Sequence, residues 1–134
     1  MTAEQNVHLE DIMPALQGVI PTIVATASLD HTPNVTYISQ VYFVDENHVA
    51  LSYQFFNKTI RNVRENPVLT AIITCPVHYD LYKLLLRYEE SQIEGEIFDA
   101  MEIQLEALAS AQHKEGIFKL KAADIYEVIS IEKM

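Results

Sequence analysis

Short β-branched runs broken by turn residues recur along this chain, and that recurrence limits it to a mostly antiparallel β fold. Val19–Ser28 reads as a buried strand and Asp30-His31-Thr32-Pro33 as the turn after it. Asn34–Val44 reads as one long strand, with Val35, Tyr37, Ser39, Val41 and Phe43 on one face and Thr36, Ile38, Gln40, Tyr42 and Val44 on the other. Neither face is purely apolar, so one side is expected in a barrel core and the other against a ligand or a second subunit. Asp45-Glu46-Asn47 turns the chain into a hairpin partner at His48–Tyr53. Further strands are expected at Val68–Cys75, at Leu81–Ile93 and in a last segment, Ile117–Leu120 followed by Ile125–Ile131. That makes about six strands, spaced as hairpins rather than as βαβ units.

Helical patterns are fewer. His8–Gln17 carries Leu9, Ile12, Met13 and Leu16 at helical spacing, with Pro14 inside the pattern and Gly18 at its end. Glu94–Ser110 places Ile97, Met101, Leu105 and Leu108 on one stripe and acids in its first turn, where the helix dipole favours them. The chain is expected to form a single domain, residues 1–134, with 1–17 as a helical lead-in; a chain of this length buries roughly two-thirds of its unfolded surface.

The third helix is the shortest and the most informative. Ser52–Pro67 begins where an apolar strand ends; Asn57 is a suitable N-cap, Ile60 and Val63 lie one turn apart, and Asn66-Pro67 closes the segment after roughly two turns. Lys58, Arg61 and Arg64 gather three of the chain's nine basic residues here, in a protein of formal net charge -10. A solvated face is the simpler account of such charge. A helix start with free N–H groups at Lys58 and Thr59 beside cations is also a site for a phosphate.

The acidic balance argues against nucleic-acid binding, which needs a basic surface, and favours a small anion as partner. One cysteine, Cys75, permits no intramolecular disulfide; beside Pro76 at a strand end it reads as a buried, inert thiol. No stretch is long and apolar enough to span a membrane, and no basic-then-apolar leader opens the chain, so a cytoplasmic setting is the expectation. The five histidines are scattered, and only His78-x-Asp80 pairs one with a carboxylate at metal-ligand spacing. A surface loop explains that pair better than a metal does, and no metal site is expected.

In order, Thr26-Ala-Ser-Leu-Asp30-His-Thr-Pro33-Asn34-Val35-Thr36-Tyr37, Val44-Asp45, Asn57-Lys58-Thr59 and Asn62-Val-Arg-Glu-Asn66-Pro67-Val68 resemble the FMN-binding split-barrel proteins related to pyridoxamine 5'-phosphate oxidase. The likeness continues through Leu81–Tyr88, Glu94-Gly95 and Asp124–Val128, and within the family it is strongest to the modules that precede GAF domains. The resemblance implies a six-stranded antiparallel Greek-key split barrel with peripheral helices, a homodimer, and FMN in the groove between subunits. It implies that Thr36, Tyr37, Ile38 and Ser39 line the flavin, and that Lys58 and Thr59 hold its phosphate. Ser52, Tyr53 and Gln54 would sit beside the ring or ribityl chain, and Asn57 and Asn62 complete the candidate set. These residue types suit the ligand: a dianion needs cations and hydroxyls, and a flat ring needs an apolar wall such as Tyr37, Tyr53 and Phe55.

Two departures from the family pattern stand out. The first hairpin has no glycine in its Asp30-His31-Thr32-Pro33 turn, and residues 34–44 contain no basic residue to assist a phosphate. The expected function is that of an FMN-binding flavoprotein and oxidoreductase on an unidentified small substrate, with no catalytic residue assigned. The alternatives are a non-catalytic flavin- or ligand-binding sensory module and a cofactor-less dimeric interaction domain.

Overall fold

The computed structural model describes residues 7–16, 20–38, 40–53, 57–111 and 119–134. Seven strands form one antiparallel sheet: β1 (Thr22–Ala27), β2 (Pro33–Ile38), β3 (Val41–Asp45), β4 (His48–Tyr53), β5 (Val68–Thr74), β6 (Leu81–Gln92) and β7 (Ala122–Lys133). Helix α1 (Asn57–Glu65) joins β4 to β5, and α2 (Glu96–Ala111) lies between β6 and β7. The strand order is β2-β1-β5-β6-β7-β4-β3, so β1 leaves its hairpin partner to pair with β5, and β4 pairs with β7. These crossed pairings give the Greek-key connection of a split barrel. Both long strands shift register, between Leu85 and Leu86 and between Tyr88 and Glu90, and such bulges let a sheet bend around on itself.

The expected strand over 34–44 is in fact two, which is why seven strands replace six. β2 ends at Ile38 and β3 starts at Val41. Between them Gln40 is fully buried and turns its amide to α2, donating from Nε2 to the Met101 carbonyl at 3.2 Å and to Gln104 Oε1. That contact anchors the start of β3 to α2 at the point where β2 has ended. The final strand also differs. Lys119 and Leu120 are not strand, and β7 runs unbroken from Ala122, whereas Ile117 lies outside the described residues.

The lead-in is a 3₁₀ helix, Leu9–Leu16, kinked at Ile12, instead of an α-helix. Pro14 explains the change, because it removes a backbone donor from the pattern. At three residues per turn Leu9, Ile12 and Ala15 share the buried side together with Leu16, and Met13 turns outward. Helix α2 begins at Glu96, two residues later than the acidic run suggests, because Gly95 takes φ +108° just before it. Met101, Leu105 and Ala109 form its buried stripe, with Ile97 half-buried at its start.

Alternation on the strands separates two cores. Val49 and Leu51 of β4 and Tyr126 of β7 face the barrel interior with Val24, Leu69, Ile73, Leu84 and Leu86. The intervening Ala50, Ala123 and Ile125 face outward under α2. Ile60 and Val63 of α1 join the interior cluster, so α1 is a plug at one barrel mouth. Among the described residues the outer face of β2, β1 and β5 has no such cover: Val35 and Tyr37 are 65% and 64% exposed, and they lie across from Ala25 and Ile23, which pair in turn with Thr70 and Ile72.

The first hairpin closes without glycine because His31 itself takes φ +66°, a conformation His adopts more readily than most residues. Its neighbours hold it there. Thr32 N–H donates to Ser28 Oγ at 3.2 Å and to Asp30 Oδ1 at 3.1 Å, and the Ser28 hydroxyl donates to Asp30 Oδ1. Those bonds hold the Asp30 carboxyl below its ordinary range, the Ser28 hydroxyl first among them. In chemical denaturation His31→Gly should leave stability within about 0.5 kcal/mol of wild type or raise it, whereas His31→Val should lower it by about 1–2 kcal/mol. Equal effects of the two would show that the positive φ is not what the turn selects for.

Candidate functional site

Polar side chains from three elements converge at the barrel mouth that α1 plugs. Inward-facing positions of β2 are Asn34, Thr36 and Ile38; Asn34 Nδ2 donates to Thr59 Oγ1 of α1 at 3.1 Å and lies 3.5 Å from Thr26 Oγ1 of β1. Asn62, one turn further along α1, donates from Nδ2 to the same Thr26 hydroxyl at 3.1 Å. Thr26, Thr59 and Asn62 are buried, so each needs a partner and the network supplies one. The first turn of α1 is thereby fixed against the first hairpin.

Beneath that turn lies a cavity of about 20 Å³, room for roughly one water, lined by Ile38, Ser52, Tyr53, Thr59, Asp124 and Tyr126 among others. Asp124 is its only carboxylate among the described residues. It is 3% exposed, and Ser91 donates its hydroxyl to Oδ1 at 2.6 Å, while Tyr88 Oη is 2.5 Å from Ser91 Oγ. Burial raises the Asp124 pKa from 3.8 to about 6 against the opposing effects of the Ser91 hydrogen bond and the Arg64 charge. Burial likewise raises the Tyr126 hydroxyl, with the Asp124 charge as the next cause, so that phenol keeps its proton. The Ser52 Oγ is buried with no hydrogen-bond partner among the described residues, as is Gln40 Oε1 on the neighbouring residue across the Ser52 N to Gln40 O bond of 3.3 Å. An orphaned buried hydroxyl costs about 1–3 kcal/mol, and such atoms mark where a water or a ligand group belongs.

Of the residues expected from sequence, Ile38, Ser52, Tyr53 and Thr59 line this one cavity, Asn62 bonds the Thr26 hydroxyl beside it, and Thr36 lies on the inward face of β2 between Asn34 and Ile38. Tyr37 lies on the opposite face of β2 from Thr36 and Ile38, and Lys58 stands exposed at the start of α1. Arg61 and Arg64 are exposed as well, on the side of α1 that carries Lys58, and none of the three cations forms an ion pair among the described residues. Ser39 and Gln54 lie outside the described residues, as does Phe55, and Asn57 is described as the first residue of α1.

Sequence reasoning missed Asn34, Asp124 and Lys121. Asp124 had a signal, a lone acid in the otherwise apolar Ala122-Ala123-Asp124-Ile125-Tyr126. Lys121 had none; its ammonium lies 5.9 Å from the centroid of the Tyr53 ring, a cation–π contact with a residue that lines the cavity.

The raised pKa has a stability consequence. Between the unfolded value near 3.8 and the folded value near 6 the native state holds a proton that the unfolded chain has released, so this contribution to stability is full at low pH and lost as pH rises through 6. Asp124→Asn keeps the Ser91 acceptor without the charge. It should therefore raise unfolding free energy by about 2–3 kcal/mol at pH 7.5 and by far less at pH 4.5. Denaturation curves at the two pH values check this, and a gain independent of pH would contradict the buried charge.

No protein-family model matches the chain. It is 30% identical over 124 residues to the uncharacterized protein MJ0282 of Methanocaldococcus jannaschii, spanning 90% of this chain and 80% of that one. Among solved structures it superposes on an FMN-binding protein from Syntrophomonas wolfei subsp. wolfei with TM-score 0.77 and 17% identity, over 92% of this chain and 84% of the other. It also matches a pyridoxamine 5'-phosphate oxidase-like protein from Lactobacillus delbrueckii with TM-score 0.56 and 14% identity, over 99% and 91% of the two chains. The fold is thus the split barrel of FMN-binding proteins related to pyridoxamine 5'-phosphate oxidase, and the chain belongs to the same family as the Methanocaldococcus protein.

Proposed function

We propose that this protein binds FMN as a homodimer and uses it as an oxidoreductase on a small substrate in the cytoplasm. The observation that carries the reading is the Asn34–Thr59 hydrogen bond, which joins the first turn of α1 to β2 across 25 residues of chain. It holds the first turn of α1, with its open amides, Lys58 and Thr59, beside the inner face of β2 that carries Thr36, and that is where the proposed phosphate would dock. A phosphate there gains charge-assisted hydrogen bonds from groups that the fold already holds in place. Arg61 and Arg64 extend the positive field, filling the role that a basic residue on β2 would otherwise play.

The flavin ring must lie elsewhere. A cavity with room for one water cannot hold a tricyclic ring, since pockets for such ligands run to several hundred Å³. The bare outer face of β2, β1 and β5, with Val35 and Tyr37 exposed, is where a second copy would pack and complete a groove for the ring. When bound, the cofactor supplies the redox chemistry. The chain's own residues bind the phosphate through Lys58 and Thr59, and Ser52 and Tyr53 are placed to flank the rest of the ligand. The sensory-module reading shares this site and differs only in lacking turnover with a nicotinamide donor.

Two results are expected. Lys58→Ala should weaken FMN binding by about 1.5–3 kcal/mol in a fluorescence-quenching titration while leaving riboflavin binding nearly unchanged. Equal FMN affinity in the variant would put the phosphate somewhere else. Sedimentation equilibrium should show a dimer for the wild type and a monomer for Tyr37→Lys, which sets an unpaired charge in the middle of the apolar face. A dimer that persists in the variant would remove this face from the interface.

A further inference from the structure

We propose that Asp124 is a proton-exchanging residue coupled to the anion site: when a phosphate-bearing ligand occupies the start of α1, the Asp124 carboxylate across the cavity takes up a proton. The inference rests on the phosphate reading above and extends it to a residue with no part in holding the ligand.

The geometry gives the coupling. Thr59, in the first turn of α1, and Asp124, on β7, line the same small cavity, so little bulk water lies between an anion at the helix start and this carboxylate. Arg64, on the same helix, is the cation whose field reaches Asp124 and favours its charged form. A phosphate held by α1 offsets that field and adds negative charge of its own, and both effects disfavour a second anion nearby. The other groups around Asp124 do not supply a replacement charge: Ser91 on β6 is a hydroxyl that bonds Tyr88, Tyr126 on β7 keeps its proton, and Lys121 stands exposed beyond the Tyr53 ring of β4. The carboxyl already sits near its midpoint at about pH 6, so a modest change in field changes its protonation.

A route for the proton is present. Ser91 donates to Asp124 Oδ1 at 2.6 Å, and Tyr88 Oη lies 2.5 Å from Ser91 Oγ; both are only half-buried, so the chain leads from the carboxylate outward. A solvent hydronium gives a proton to the Tyr88 hydroxyl as that hydroxyl passes its own to Ser91 and Ser91 passes its own to Oδ1, one concerted relay that leaves a water outside and neither hydroxyl ionised. The net change is one proton moved from solvent to Asp124.

The test compares FMN dissociation constants of wild type and Asp124→Asn from pH 5 to pH 8. The ionisation of the phosphate itself is common to both proteins and cancels in their ratio. The wild-type to variant ratio should be near one at pH 5 and should rise roughly fivefold or more by pH 8, with the wild type the weaker binder. Riboflavin, which lacks the phosphate, should give a ratio that does not move with pH. Ser91→Ala removes a hydrogen bond that stabilises the carboxylate, and should shift the rise to higher pH. A ratio for FMN that stays constant across the range while FMN still binds overturns the coupling and leaves the anion site intact. The same rise with riboflavin also overturns it, because the phosphate would then not be the trigger. Loss of FMN binding in both proteins at every pH refutes the anion site, and the coupling with it.

Discussion

The Thr26 hydroxyl is the point on which the arrangement of this barrel mouth depends. It accepts from Asn62 on α1 and lies within reach of Asn34 on β2, so one buried oxygen ties the first hairpin to a helix 36 residues further along the chain. Apolar packing alone would allow α1 to rotate or slide, since Ile60 and Val63 need only reach the interior cluster. The amide-to-hydroxyl bonds are directional, and an unsatisfied member would cost about as much as the helix gains from burying one small apolar side chain. They therefore fix which side of α1 faces the barrel. The consequence is that Lys58, Arg61 and Arg64 point outward together.

Placing charge in a barrel interior runs against the same economy of burial. Asp124 faces inward between Tyr126 and the end of β4, where a leucine would pack with no desolvation penalty. Its single described hydrogen bond from Ser91 does not compensate, because the net effect on its pKa is still upward. A residue that destabilises the fold at neutral pH and titrates near neutrality is more readily understood as part of the site than of the scaffold.

Much of this was legible in the chain. The plugging helix was, because Ile60, Val63, Asn66 and Pro67 mark its buried side and its end without reference to anything distant. Strand positions were also readable to within a few residues from their β-branched runs. The break between β2 and β3 was not; beside it the Gln40 amide reaches the Met101 carbonyl, a contact between residues 61 apart that no local pattern announces. Nor was the shift of the lead-in to three residues per turn fully readable, although Pro14 gave its cause. The missing turn glycine looked like a departure from the family pattern; His31 at positive φ, held by Ser28 and Asp30, shows that the same geometry can be reached with a side chain. Within the site, Lys58 and Thr59 were named from their place at a helix start. The partner that fixes Thr59, Asn34, is visible only when β2 is folded against α1.

The two halves of the barrel exterior are treated differently, and the difference follows from the sheet order. Strands β3, β4 and β7 adjoin one another at one end of the sheet, and α2 covers Ala50, Ala123 and Ile125 there. At the other end β2 is an edge strand that places Val35 and Tyr37 outward beside Ile23 and Ala25 of β1, with Ile72 of β5 continuing the row. No amphipathic segment among the described residues lies over that end. An edge strand with an apolar outer face invites another chain to pair with it or cover it, and here the same strand carries Asn34 and Thr36 on its inner face next to α1. A cover laid on the outer face would therefore come to rest one strand thickness from Asn34 and Thr36, so the proposed partner surface and the proposed ligand surface share a single strand.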